Sequence, residues 1–221
     1  MSEGRLDTAH EHWDEWWKDA SQRSSWSEPE PAVTALMPGL REKGARRVLD
    51  LGTGIGRHAL AYARFGFEVI ASDASSAGLD RLVESAKAGG LSVDVRLSSF
   101  TGIPLEDATV DHVLAWNVIY HGDGETVATA LKECHRVLRP GGTIQLTMLS
   151  KRHRAFGIGR KIRVDTFVDD ASTGDKDHPH FYVDASGLIR RLSSAKFDLR
   201  SMEDVDQDGR QGFHWYVLAE A

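Results

Sequence analysis

Cysteine is nearly absent: Cys134 is the single thiol in 221 residues. A lone thiol makes no internal bridge, which excludes a disulfide-stapled secreted scaffold and leads us to expect a reducing, cytoplasmic setting. No apolar run approaches the roughly 20 residues of a membrane span. The first twenty residues, MSEGRLDTAHEHWDEWWKDA, are acidic and Trp-rich, unlike a signal or transit peptide. Neither export nor membrane insertion is expected. A basic excess is missing too: 27 Lys plus Arg against 33 Asp plus Glu gives a net charge of −6. The surface as a whole does not suit a phosphate backbone, so nucleic acid is not the expected partner, although a local basic patch stays open. There is no internal repeat and no low-complexity tract. With 41% hydrophobic and 27% charged residues, the chain has the composition of one globular domain, whose core at this size needs neither disulfide nor metal.

From about residue 46 onward, apolar β-type runs alternate with helical-period segments. This is the signature of an α/β fold with a parallel sheet. The expected strands are 46–51, 68–72, 92–97, 110–116 and 143–150. Val127, Leu131, Cys134 and Leu138 step by 4, 3 and 4 along one helical face, which Pro140-Gly141-Gly142 ends. Residues 150–179 are polar and poorly periodic, an insertion expected over a functional face. A short helix at 184–194 precedes strands 198–204 and 212–220. Their connection is too short for a crossover helix, so the pair should be antiparallel. Two helical segments, 8–20 and 30–43, lie ahead of the sheet. The expected organisation of the single domain is therefore 1–44 as an N-terminal helical lid, 45–150 as the ligand-binding core, 151–180 as the insertion and 181–221 as the final helix and strand pair.

The densest constellation is Val48-Leu49-Asp50-Leu51-Gly52-Thr53-Gly54-Ile55-Gly56-Arg57, an apolar strand running into three glycines spaced by two before a helix. One glycine would serve a plain strand-to-helix turn; three in this register let backbone approach a ligand closely. A dinucleotide fingerprint would place its third glycine where Arg57 stands. Asp50 just before the loop would repel a pyrophosphate and suits a ligand bearing ammonium and sulfonium charges. The next strand ends on Asp73, followed by Ala74, and a carboxylate there can accept both ribose hydroxyls of an adenosine. Leu97-Ser98-Ser99-Phe100 offers a hydroxyl and an aromatic ring at the same edge, suited to adenine and equally to a capping Ser with a core Phe.

Four segments, VLDLGTGIGRHAL (48–60), EVIASD (68–73), ATVDHVLAWNVIYH (108–121) and LKECHRVLRPGGTIQLTML (131–149), resemble the successive motifs of class I S-adenosylmethionine-dependent methyltransferases. The resemblance implies a single Rossmann-like, doubly wound sheet of seven strands, mostly parallel with the final strand antiparallel and helices on both faces. It implies S-adenosylmethionine as cofactor, S-adenosylhomocysteine as product, and methyl transfer by in-line displacement. Position by position, Asp50, Gly52, Thr53, Gly54 and Gly56 match the loop around the methionyl part, and Asp73 with Ala74 the ribose acid. Ser99 and Phe100 match the adenine positions, where the family usually has an acidic residue. Asn117 and Val118 match the positions flanking the sulfonium. Residues 56–60 and 179–184 also resemble the tellurite-resistance-type branch.

A small-molecule acceptor, anionic or aromatic, is the expected substrate. A macromolecular substrate docked on the basic 151–163 stretch, and a non-catalytic cofactor-binding protein, stay as alternatives. That stretch holds Lys151, Arg152, Arg154, Arg160, Lys161 and Arg163 with no acid among them. A base-directed amino methyltransferase would show two prolines after residue 117, and both are absent. His121 is the candidate proton acceptor. Trp13, Trp16 and Trp17 share a helical face that serves either as packing or as a lid offering indoles to the sulfonium or substrate. Trp13 and Trp17, with His180 and Tyr182, are the expected substrate-pocket residues. His178, His180 and His214 form a conceivable ligand set, but two histidines spaced by one residue without a Cys pair are weak evidence, and no metal is expected.

Overall fold

The computed structural model describes residues 8–171 and 175–221. Helices α1 (Ala9–Lys18) and α2 (Ala20–Arg23), a 3-10 turn at Ser24–Trp26, α3 (Pro31–Thr34) and α4 (Met37–Glu42) precede the sheet. The core follows as β1 (Arg47–Leu51), α5 (Arg57–Arg64), β2 (Glu68–Asp73), α6 (Ser76–Ala88), β3 (Asp94–Leu97), β4 (Val110–Ala115), α7 (Gly124–Val137) and β5 (Leu138–Ser150). The chain continues through β6 (Arg160–Arg163), β7 (Thr166–Val168), β8 (His180–Val183), α8 (Ala185–Ser194), β9 (Asp198–Asp206) and β10 (Phe213–Glu220).

The main sheet runs β3-β2-β1-β4-β5-β10-β9, with β10 antiparallel to both its neighbours. Its central strands β1, β2, β4 and β5 are buried on both faces, and side chains alternate between two cores as a period of two requires. Leu49, Val113, Ala115 and Leu146 pack with α7 and α8 through Leu131, Cys134 and Leu188. Val48, Leu114 and Trp116 pack with α3 to α6 through Val33, Met37, Tyr62 and Leu82. Burial pushes the Cys134 thiol up to about 12, which leaves it an inert core residue.

Three departures from the expected fold have physical causes. The described residues form ten strands rather than seven, because the insertion is itself a small antiparallel sheet, β6-β7-β8. β5 outruns β4: where β4 stops at Ala115, β8 takes the same edge through Leu149 opposite Tyr182 and Ser150 opposite Val183. The helix expected over 30–43 is broken at Ala35-Leu36, since Pro38 has no N–H to return to the preceding turn. Leu138, placed on a helical face by its spacing, is the first residue of β5.

Gly56 opens α5 with φ +84°, and a Cβ there would overlap Leu82 of α6. Gly56→Ala is expected to cost roughly 2–4 kcal/mol, overpacking and left-handed strain together. Urea unfolding checks this. The same change should cost less in a Leu82→Ala background, and equal costs in both would show that the two residues do not meet.

Candidate active site

The strand ends of β1, β2 and β4 converge on one cleft. Asp50, 1% exposed, accepts from Thr53 Oγ1 at 2.6 Å and from the Ala59 amide at 2.9 Å. Burial pushes its carboxyl up to about 6, against those two bonds and the charge of Arg57. The amides of Gly52 and Thr53 both bond the Ser72 carbonyl, and the Gly54 amide reaches Asp73 Oδ2 at 2.7 Å. Asp73 Oδ1 accepts from the Ser75 amide at 2.8 Å, and burial outweighs these bonds to raise its pKa.

Over this loop lies α1. The Trp17 indole rests on two glycines at once: a Cβ would stand 2.8 Å from it at Gly54 and 2.9 Å at Gly78. Trp13 stacks on Trp17 with centroids 5.3 Å apart, and Trp26 meets both edge-on. The Arg57 guanidinium sits 4.9 Å from the Trp26 ring centre and pairs with Glu30 at 3.1 Å. Asp14 Oδ1 accepts from the Ala77 amide and Ser75 Oγ, both at 2.9 Å, which fastens α1 to the start of α6. Burying an indole of this size stabilises by about 4–6 kcal/mol, more than the roughly 1 kcal/mol of a capping bond. Packing therefore holds the helix in place, and hydrogen bonds set its register.

The innermost cleft, between the loop and these indoles, has a cavity volume of about 90 Å³. An outer part of about 450 Å³ shares Ala74, Ser98, Phe100 and His121 with it and continues past Ser99 and Thr126.

With this geometry in view, comparison with known proteins is informative. Residues 48–142 match the family described as a methyltransferase domain. A ubiquinone biosynthesis O-methyltransferase of Methylocella silvestris is 29% identical over 166 residues, 75% of this chain and 63% of that protein. One from Rhizobium johnstonii is 34% identical over 110 residues, covering 49% and 43%. An uncharacterised methyltransferase of Mycobacterium tuberculosis is 35% identical over 138 residues, covering 61% and 51%. The chain thus spans 43% to 63% of the length of these relatives. Among solved structures, Burkholderia thailandensis 1,6-didemethyltoxoflavin-N1-methyltransferase, with bound 1,6-didemethyltoxoflavin and S-adenosylhomocysteine, superposes with a TM-score of 0.67 at 19% identity. It covers 97% of this chain and 84% of that one. A methyltransferase of Methanosarcina mazei gives 0.70 at 17% identity, covering 87% and 98%. These establish the Rossmann-like fold. The names of these relatives do not support the expected tellurite-resistance-type branch.

Within this part of the chain, Gly52, Thr53, Gly54, Asp73 and Ala74 line the inner cleft. So do Phe100, Asn117, Val118 and His121, with Trp13 and Trp17 across from them. Asn117 is left-handed at φ 57°, its amide and side chain both bonded to Thr147 Oγ1. Other expected positions lie elsewhere. Asp50 is beneath the loop, shaping it rather than facing the cleft. Gly56 faces Leu82 rather than the cleft. Ser98, bonded to Ser72 Oγ at 2.5 Å, takes the inner wall, while Ser99 is exposed in the outer part. Tyr182 is 1% exposed among His153, Phe156 and Phe167, a core residue. His180 is fully buried behind His121. His214 packs on Tyr120 and His153 and is not part of any His178–His180 group. His121 directs Nε2 to the Asn117 carbonyl at 3.1 Å and Nδ1 to His178 Nε2 at 2.9 Å, so in this arrangement neither nitrogen points a lone pair at an acceptor in the cleft. A direct base role would need the ring to turn.

Sequence reasoning missed His10, Trp26 and His58, which also line the cleft. His58 accepts from the Glu30 amide, and burial, then Arg57, pushes it down to about 3, so it is neutral. Its place in the first turn of α5, just behind the glycine loop, was the available signal.

The Ala77 amide bond holds Asp14 below its ordinary pKa of 3.8. A carboxyl depressed on folding stabilises fully above its unfolded pKa and loses that contribution as pH falls through the folded value. Asp14→Asn should therefore loosen α1 at neutral pH by roughly 0.5–2 kcal/mol, and wild type should show the same loosening only below about pH 4. Hydrogen exchange of the α1 amides reads both. Unchanged protection in the variant would remove Asp14 from the docking.

Proposed function

We propose that the chain is an S-adenosylmethionine-dependent methyltransferase acting on a hydroxyl of a small aromatic molecule. One observation carries the reading: the glycine loop and Asp73 form one wall of a cleft whose facing wall is the indoles of Trp13 and Trp26. The residues present fit the cofactor. Asp73 supplies a ribose acceptor, Gly52 and Gly54 at φ 69° and 55° allow close backbone approach, and the indole faces suit a sulfonium. Bound there, S-adenosylmethionine supplies an electrophilic methyl group. The residues of this chain hold the two reactants in line and exclude water through the Trp lid. Trp26, Trp116 and Phe100 on the cleft support an aromatic acceptor, as do the ubiquinone-biosynthesis names of two relatives.

The basic stretch gives a macromolecular substrate no comparable support, because its charge is largely neutralised. Lys151 pairs with Asp165 and Asp184, Arg152 with Asp204, Arg154 with Asp208, and Arg160 with Asp170.

Calorimetric titration with S-adenosylhomocysteine, with NAD as control, tests the cofactor. Micromolar binding of the first alone is expected, and binding of neither would end the reading. Asp73→Asn removes a charge-assisted bond and should weaken binding by about 10- to 150-fold. Unchanged affinity would show that Asp73 does not hold the ribose. Methyl transfer to a panel of phenols and catechols then separates an enzyme from a non-catalytic binder.

A further inference from the structure

His121, His178 and His180 are 5%, 2% and 0% exposed, and their ring centres lie 4.5–4.9 Å apart. One nitrogen from each falls within 4.8 Å of the others. Two segments distant in sequence bring them together, the turn after β4 and the start of β8, joined by an antiparallel bridge between His121 and His180.

Each ring commits its other nitrogen to an oxygen. His121 Nε2 bonds the Asn117 carbonyl at 3.1 Å, His178 Nδ1 the Asp177 carboxylate at 3.0 Å, and His180 Nδ1 the His178 carbonyl at 2.8 Å. Those oxygens only accept, so the nitrogens facing them carry the protons. In neutral rings, His121 Nδ1, His178 Nε2 and His180 Nε2 are then lone pairs. Two of these, on His121 and His178, are 2.9 Å apart. Outer nitrogens tied to carbonyls and a carboxylate, with inner nitrogens converging, is the arrangement that orients metal-binding histidines.

We propose that His121, His178 and His180 bind one divalent transition-metal ion of the zinc type at the margin of the cleft. Tetrahedral ligation at about 2.0–2.1 Å places ligand nitrogens about 3.3 Å apart, a small adjustment from this cluster. Three imidazoles leave one position open, and His121 lies on the cleft wall. The ion's part in catalysis, unlike its binding, rests on the function proposed above. It takes the acceptor hydroxyl at the open position and lowers its pKa. The O–H bond breaks with the proton passing to solvent, the O–CH₃ bond forms from the oxygen lone pair, and the C–S electrons stay on sulfur.

The test uses the untagged full chain stripped of metal. Titration with Zn²⁺ against a chromophoric chelator, and with Co²⁺ read by its visible ligand-field bands, should give one equivalent. Zn²⁺ should also raise the wild-type Tm reversibly. His178→Gln should abolish binding, and His153→Gln, a buried histidine outside the cluster, should leave it intact. Because the Asp177 side chain is 44% exposed, Asp177→Asn is expected to fold and to bind on the order of 10–100-fold more weakly. No Zn²⁺ or Co²⁺ binding by wild type above that of His178→Gln, or full affinity in Asp177→Asn, would overturn the site and leave a shared proton between His121 and His178. S-adenosylhomocysteine titration of the metal-free protein separates the two readings. Cofactor binding without metal binding sinks the metal site alone, and metal binding without cofactor binding sinks the methyl-transfer reading alone.

Discussion

The buried carboxylate of Asp50 is the constraint on which the cleft depends. It ends β1 inside the protein, where an unpaired charge would cost several kcal/mol, and it is met by Thr53 Oγ1 and the Ala59 amide. Those two bonds bind the glycine loop to the first turn of α5 and fix where the Gly54 amide points. That amide meets Asp73, and Gly54's missing side chain leaves the floor on which Trp17 lies. Strand, loop, Asp73 and α1 are thus positioned by one carboxylate that touches none of the cleft.

Where burial follows a simple period, the fold was legible in the sequence. β1, β2, β4 and β5 read as continuous apolar runs because both faces are covered, and the β9–β10 pair read as antiparallel from its short connection. The insertion was opaque for the opposite reason. Arg160-Lys161-Ile162-Arg163 is a mostly exposed edge, and charges on such a strand conceal its alternation while blunting the edge against other chains. The glycine loop and Asp73 were legible as a set, but not the division of labour within it. Which carboxylate faces inward, and whether Ser98 or Ser99 turns to the cleft, depend on strand register, which a one-residue shift reverses. The histidine cluster showed in sequence only as the weak His178–His180 pair, grouped there with His214, since His121 is 57 residues from His178 and meets it only because β8 takes the edge that β4 vacates.

The same edge explains why the basic stretch reads differently in three dimensions. In sequence, its cations precede the aspartates as a block and look like a docking patch. In the fold, Lys151 and Arg152 stand at the end of β5, where Asp165, Asp184 and Asp204 arrive from β7, α8 and β9, and the Arg152 guanidinium covers the Phe213 ring at 3.9 Å. Exposed pairs of this kind contribute little stability. Their effect is to spend the charge locally and give the insertion a fixed seat against the sheet.

That seat brings the insertion to α1. The Asp177 carboxylate is shared by two imidazoles, His12 of α1 at 3.0 Å and His178 at 3.0 Å, and the rings of His12 and His178 lie 5.2 Å apart. Trp13, one residue along α1, meets His121 edge-on at 5.9 Å. The helix that covers the glycine loop and the histidine cluster at the cleft margin therefore share partners. Lifting α1 takes His12 from Asp177 and Trp13 from His121 together, and it weakens the carboxylate contact that orients His178. The position of α1 over the cleft and the orientation of His178 are thus set together, by the Trp17 footing on Gly54 and Gly78 at one side and by Asp177 at the other.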